Sequence, residues 1–110
     1  MRYFTWHVDS LRVGTSQQET YRLDGDYNPV RAWVHVEGSP TGAELMVDIN
    51  VDGVSIFAYR PRLQDGTDTD ETVFSTAQMN KDSLISMDID QIGSKEPGRA
   101  MTVGLELEEA

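Results

Sequence analysis

A chain of 110 residues, 38% hydrophobic and 25% charged, is long enough to form one domain with its own core. Its formal net charge of −10 would repel a phosphate backbone or an anionic lipid surface, and the absence of cysteine excludes disulfides and thiol chemistry. No apolar run approaches the roughly 20 residues of a membrane span, and residues 1–10 lack a signal-peptide core. We therefore expect a single domain, residues 1–110, that binds neither nucleic acid nor membrane.

Alternating apolar and polar residues predict β-strands from the N-terminus onward. The first is predicted at Tyr3–Val8, and residues 1–10 would form a docking arm or an edge strand. Two short strands follow at Leu11–Gly14 and Glu19–Leu23, the second closed by a turn at Asp24 and Gly25.

The clearest pattern lies between residues 30 and 61. A strand from Val30 carries aliphatic residues on one face and Arg31, Trp33 and His35 on the other. The alternation restarts near Ala43 after a Gly-Ser-Pro-Thr-Gly segment. Asp52 and Gly53 then offer a hairpin turn, after which Ser55–Tyr59 can return antiparallel.

The C-terminal half continues in the same way. Leu63–Glu71 is polar and predicts an exposed loop, followed by a short strand at Thr72–Thr76 and a brief helical turn at Ala77–Ser83. Clear alternation predicts strands at Leu84–Gln91 and Ala100–Leu107. Seven to eight short strands with one-sided alternation predict an all-β fold, an antiparallel β-sandwich or jelly-roll-like domain.

Two acidic segments invite a metal interpretation. Asp48–Gly53 matches the first half of a calcium loop, but the twelfth position is Tyr59 where a glutamate is needed, which favours a strand and a turn. The four carboxylates of the polar loop are weak candidates for Ca²⁺, although such runs are more often solvated: Asp65, Asp68, Asp70 and Glu71. We expect no metal and no cofactor.

The remaining chemistry-bearing residues favour contact over catalysis. The only histidines, His7 and His35, would need carboxylate help to hold zinc and are more typical of a surface. The sequence contains neither a nucleophile elbow nor a phosphate-binding loop, so we expect that the chain is not an enzyme. Aromatic residues near the first strand and on the polar side of the Val30 strand are candidate protein contacts, with core packing and glycan stacking as alternatives for Trp33: Tyr3, Phe4, Trp6 and Trp33.

The segment from Val30 to Leu63 resembles a pattern in small virion proteins and tail-associated modules of tailed bacteriophages. In that pattern a V-R-A-x-V strand precedes a P-T-G turn, and a strand ending in D-I-N, a glycine turn and an S-I-F strand follow. In this sequence the matching residues are Val30, Arg31, Ala32 and Val34; Pro40, Thr41 and Gly42; Asp48, Ile49 and Asn50; Gly53; and Ser55, Ile56 and Phe57.

The C-terminal segment is similar to the same pattern's D-x-D-Q-x-G-S-x-x-x-G-x-x-L-T-V ending. Its matching residues are Asp88, Asp90, Gln91, Gly93, Ser94, Gly98, Thr102 and Val103. Met101 replaces the usual leucine, and Val51-Asp52-Gly53 replaces the usual Lys-Asn-Gly turn. The likeness covers roughly residues 10–108 and consists mostly of turn residues and core aliphatics.

The resemblance implies a structural protein of a tailed-phage virion, made in the host cytoplasm. The form it most favours is an exterior head decoration or cement protein. Such a protein would be a homo-oligomer, with a trimer favoured, and would contact the major capsid protein or other virion proteins. Two alternatives stay open: a tail-tip, collar or fibre module taking part in host attachment, and a carbohydrate-binding module.

Overall fold

The computed structural model describes all 110 residues, and they form nine β-strands. The strands are β1 (Arg2–Ser10), β2 (Tyr21–Arg22), β3 (Tyr27–Gly38), β4 (Leu45–Val51), β5 (Val54–Ser55), β6 (Arg62–Leu63), β7 (Asp68–Glu71), β8 (Leu84–Gln91) and β9 (Arg99–Glu109). The predicted all-β class is confirmed. Among these elements there is no helix with the length and apolarity to cross a membrane.

The strands form two antiparallel sheets with a jelly-roll order. One sheet has the order β1-β9-β3-β7, and the other has the order β2-β8-β4-β5, with β6 also paired to β4. Since β5 and β6 both lie beside β4, they behave as two parts of one interrupted strand. The chain then crosses between the sheets at every connection except the one after β4. Eight strands arranged in this way form a jelly roll, which confirms the predicted architecture.

The core lies between the two sheets and contains 23 buried hydrophobic residues. Successive side chains of a strand point to opposite faces, so the aliphatic rows predicted from the sequence all turn inward. Val34, Ile49, Ile89 and Val103 represent β3, β4, β8 and β9 in this core, and each is at most 2% exposed. Their burial is the main favourable contribution to folding.

The hairpin predicted at Asp52 and Gly53 is present, but its second strand is short. Both turn residues have positive φ, 50° and 84°, as a two-residue type I′ turn requires. The return strand β5 ends at Ser55 instead of Tyr59. It ends there because Ile56 and Phe57 are both buried, and two successive residues of a regular strand cannot face the same core.

The predicted loop at Leu63–Glu71 is wrong, since it contains the end of β6 and all of β7. The register of β7 places Asp68 opposite His35 and Asp70 opposite Trp33 on β3. Cross-strand partners therefore hold an acidic segment that looks like solvated loop when its own sequence is considered alone.

Three other short predictions are also corrected. Leu11–Gly14 and Thr72–Thr76 each contribute only one isolated bridge to a neighbouring segment. Ala77–Ser83 is not helical, because Met79 is buried and exchanges two backbone hydrogen bonds with Tyr27, of 2.7 and 2.9 Å. The strand count is nine instead of seven to eight, because the segment beside β4 is interrupted and β7 was not predicted.

Candidate contact face on the four-stranded sheet

The solvent side of the sheet β1-β9-β3-β7, here called the outer face, is the candidate functional site. Its side chains stand in rows across the strands because the pairing is antiparallel and, on β3, its register is regular from Arg31 onward, after a shift between Pro29 and Arg31. One row contains Tyr3, Glu106 and Arg31; the next Thr5, Gly104, Trp33 and Asp70; the third His7, Thr102, His35 and Asp68. No other strand of the molecule pairs with or stacks on this side.

Trp33 is central to the outer face and lies across Gly104 of the neighbouring strand. A Cβ added at Gly104 would lie 2.1 Å from Trp33 Cε2 and 2.3 Å from Nε1, far inside van der Waals contact. Only glycine therefore allows the indole to occupy this position, which is the reason for a glycine in the middle of β9. The indole is partly exposed and presents its opposite side to solvent.

Arg31 joins three strands of the sheet. Its Nε donates to Asp70 Oδ2 of β7 at 3.1 Å, and its Nη1 donates to Glu106 Oε1 of β9 at 3.2 Å. The hydrogen bond with Asp70 is the main cause of a raised Arg31 pKa. The side chains of Arg31 and Asp70 are exposed and that of Glu106 is partly exposed, so each pair contributes little free energy and mainly fixes where the guanidinium lies.

Both histidines lie on the outer face beside carboxylates. His35 Nδ1 is 2.7 Å from Asp68 Oδ1, and its Nε2 is 3.1 Å from Glu37 Oε1. The bond to Asp68, followed by the one to Glu37, raises the pKa of His35 above 6.5. His7 lies two strands away, with Nδ1 3.1 Å from Thr102 Oγ1 and Nε2 2.8 Å from Asp9 Oδ1.

The outer face is strongly acidic. One guanidinium, that of Arg31, stands among six outward carboxylates: Asp9, Glu37, Asp68, Asp70, Glu106 and Glu108. With neutral histidines the formal charge of this face is −5, which is half of the chain's net charge of −10. Its electrostatic field favours a cationic partner over a neutral or anionic one.

A groove of about 300 Å³ runs along the outer face between β3 and β7. Arg31 and Trp33 line one side, and Asp68 and Asp70 line the other. The groove is open to solvent and combines an aromatic ring with exposed carboxylate oxygens. Such a lining suits a flat or cationic side chain of a partner.

The acidic segment predicted as a weak metal candidate does not converge on one point. Asp68 bonds to His35 and Asp70 to Arg31, while Glu71 accepts the backbone amides of Thr72 and Val73, both at 3.0 Å. Asp65 lies in the turn before β7, with a φ of 53°. No group of three or more histidine, aspartate or glutamate side chains is placed to hold a metal ion.

The second sheet carries a separate polar cluster on its own outward side. Asp48 and Asp88 are cross-strand neighbours on β4 and β8. Arg60 Nε contacts both Asp48 and Asp90 at 3.2 Å, and Asn50 Nδ2 donates to Asp88 Oδ2 at 2.7 Å. The Asp48–Gly53 segment is thus a strand and a hairpin turn, the alternative that the sequence favoured over a calcium loop.

The four aromatic contact candidates separate into two pairs. Tyr3, 62% exposed, and Trp33 lie on the outer face. The prediction that Phe4 and Trp6 contact another protein is wrong. Both side chains point into the core, with 7% and 2% of their surface exposed. The alternation of β1 places them inward with Val8, and Trp6 Nε1 donates to Glu19 O at 2.7 Å.

Sequence reasoning placed Arg31, Gly104 and Glu106 on the polar sides of their strands but did not select them as contact residues. The signal for Arg31 was its position two residues from Trp33 on the polar side of one strand. The signal for Gly104 was a glycine inside an otherwise alternating strand, which indicates a close approach by another group.

Comparisons with known proteins identify no family. No family model matches the chain, and no curated protein matches it. Among solved structures, the chain is similar to a chain in a structure of the infectious bursal disease virus Gx strain, with 14% sequence identity and a TM-score of 0.35. That alignment covers 94% of this chain and 31% of the viral chain. A similarity of that size carries no argument about function.

Proposed function

We propose that this chain is a structural component of a tailed-phage particle, an exterior head decoration or cement protein that strengthens contacts between capsomers. The observation that carries the proposal is the outer face: an uncovered sheet surface with a charge of −5 and a partly exposed tryptophan, Trp33. Its partners would be the major capsid protein and further copies of itself, with a trimer favoured.

Physical arguments support a role based on contact. A protein present in many copies can bind a shell through repeated weak contacts, since each additional contact is intramolecular once the first has formed. An acidic exterior complements basic regions on a partner surface. Jelly rolls also occur in viral capsid and lectin domains, although a fold alone does not determine function. The resemblance of the sequence to small virion proteins supports the capsid role over the lectin role.

Quantifying the chain in purified particles of the phage that encodes it tests this proposal. We expect hundreds of copies per particle and density for the chain on the outside of the head. A few copies, or dozens, located at the tail would instead support the tail-tip, collar or fibre alternative. Absence of the chain from complete particles would overturn a structural role in the virion.

A carbohydrate-binding module is the second candidate, and one observation favours it. Trp33 lies beside a groove of about 300 Å³, and an exposed indole can stack on a sugar ring. Binding to neutral oligosaccharides that is lost in Trp33→Ala, but kept in Tyr59→Ala, would support this candidate. Tyr59 is a suitable control because it is 69% exposed and lies outside the four-stranded sheet.

A further inference from the structure

We propose that the outer face docks a basic segment of a partner protein, and that an arginine of this segment stacks on Trp33 in the groove between β3 and β7. This inference rests on the proposed function and specifies the chemistry of the partner. The occupant is an arginine-bearing loop or strand, such as one from the shell protein beneath a decoration protein.

Charge is the first argument for this partner. Six carboxylates and one guanidinium give the outer face half of the chain's net charge on one side of one sheet. Like charges this close repel one another, and an incoming cation relieves that repulsion while gaining its own attraction. A neutral glycan can donate hydroxyl hydrogen bonds to the carboxylates but gains no attraction between opposite charges, so the charge of the face favours a cationic protein segment over a sugar.

The geometry at Trp33 is the second argument. The indole is held across Gly104 of β9, so one side of the ring is covered by that strand, and Trp33 also lines the groove on the β7 side of its own strand. Asp70 lies directly opposite Trp33 on β7, and its side chain is 56% exposed. Arg31 uses Oδ2 of Asp70, and no hydrogen bond in the structure uses Oδ1.

An arginine fits these two groups better than a lysine does. A guanidinium is planar, stacks on an indole through a cation–π interaction and can donate to a carboxylate at the same time. An ammonium is compact and strongly hydrated, so it responds mainly to the net charge. We therefore expect arginine to be preferred over lysine, and the preference to depend on Trp33.

The test titrates the full chain with fluorescently labelled hexa-arginine and hexa-lysine peptides at low and high salt. At low salt we expect hexa-arginine to bind more tightly, by about threefold to tenfold. The variants Trp33→Leu and Gly104→Ala should each remove this preference, the second because an added Cβ forces the indole from its position. Asp70→Asn should weaken hexa-arginine binding more than Asp65→Asn, a matched charge change in a turn. Melting temperatures establish that each variant is folded.

Several outcomes would overturn the inference. Equal binding of the two peptides would contradict stacking on Trp33. Equal effects of Asp70→Asn and Asp65→Asn would show that the peptide responds only to the net charge of the chain. Salt-independent binding of a neutral oligosaccharide that competes with hexa-arginine would assign the groove to a sugar.

Particle composition tests the proposed function separately. Chains with Trp33→Leu and Asp70→Asn that still occupy particles fully would contradict this docking face alone. A chain absent from particles that still prefers hexa-arginine would contradict only the virion role.

Discussion

His35 is bound through both of its ring nitrogens, to Asp68 on β7 and to Glu37 on its own strand. Both nitrogens carry a proton only in the imidazolium form, so this arrangement stabilises the charged ring. The pKa of His35 is accordingly raised, mainly by Asp68, and the pKa of Asp68 is lowered from 3.8, mainly by His35. The bond between these two residues is thus a pH-dependent link between β3 and β7.

The sign of this dependence follows from the two shifts. The His35 contribution to stability is complete below pH 6.5 and is lost as pH rises through the raised pKa. The Asp68 contribution is present above pH 3.8 and is lost as pH falls through the lowered pKa. The link is therefore strongest between about pH 4 and pH 6.5.

We expect the melting temperature of the wild type, relative to His35→Gln, to be highest in that window and to converge with it at alkaline pH. An NMR titration should give His35 a midpoint above 6.5, and Asp68→Asn should lower that midpoint. A His35 midpoint unaffected by Asp68→Asn would contradict the assigned cause.

For individual residues, the sequence correctly predicted His35 and Trp33 on the polar side of a strand, because alternation decides which side a residue faces. The sequence did not predict the residues of the neighbouring strand that these two side chains contact. Asp68 and Asp70 are more than 30 residues away along the chain and lie in a segment whose polar composition predicts a loop. Only the pairing with β3 makes that segment a strand.

At the scale of elements, β4 and β8 bring like charges together. Asp48 and Asp88 are direct cross-strand neighbours, a pairing that is normally unfavourable. Arg60 lies against Asp48 and Asp90, and the Asn50 amide and Ser55 hydroxyl donate to Asp88 and Asp48. Burial raises the pKa of Asp90, Arg60 opposes that rise, and the neighbouring carboxylates add to it.

Replacing Arg60 by glutamine should destabilise the fold at pH 7 by about 2 kcal/mol, since the buried carboxylate of Asp48 would lose its charge partner. The loss should shrink as pH falls, because Asp90 takes up a proton more readily in the folded state than in the unfolded state. Urea unfolding at pH 7 and pH 5 measures both effects. Arg62→Gln is the matched control: its contact with Glu44 is 4.0 Å long and exposed, and its loss should cost less than about 0.5 kcal/mol. Equal losses in the two variants would contradict the assigned role of Arg60.

The sequence predicted β8 with its observed bounds, and its alternation places Asp88 and Asp90 on the polar side of that strand. The same alternation places Asp48 on the polar side of β4, yet Asp48 is only 4% exposed. Alternation defines two faces of a strand but does not show which connecting segment covers the outer one. Here Ser55 and Arg60, after the hairpin, supply groups to that face.

For the whole molecule, strand content and one-sided alternation were sufficient to predict two packed antiparallel sheets. The order of strands was not predictable from periodicity, because pairing in a jelly roll is mostly non-local. β1 pairs along its length with β9, so residues near the start of the chain meet residues near its end. Such pairing depends on how two complete faces pack, which no local window contains.

Stability of the whole domain should depend on the shared core between the sheets. Ile89 is 1% exposed on β8, and Ile89→Ala should lower the free energy of unfolding by about 2–5 kcal/mol because it leaves a cavity. Val54→Ala, at a position 68% exposed, should change it by less than about 0.5 kcal/mol. Chemical denaturation checks both, and a similar loss at the two positions would argue against a well-packed interior.

The position of β9 has a consequence for biosynthesis. This strand lies between β1 and β3, so those two strands leave the ribosome long before the strand that joins them is made. Until residues 99–109 emerge, β1 has no strand to pair with, and its inward side chains, Phe4 and Trp6, stay exposed to water. The pairing of β1 with β9 joins residues at least 89 positions apart, and closure over that distance slows folding and leaves apolar surface exposed in the meantime.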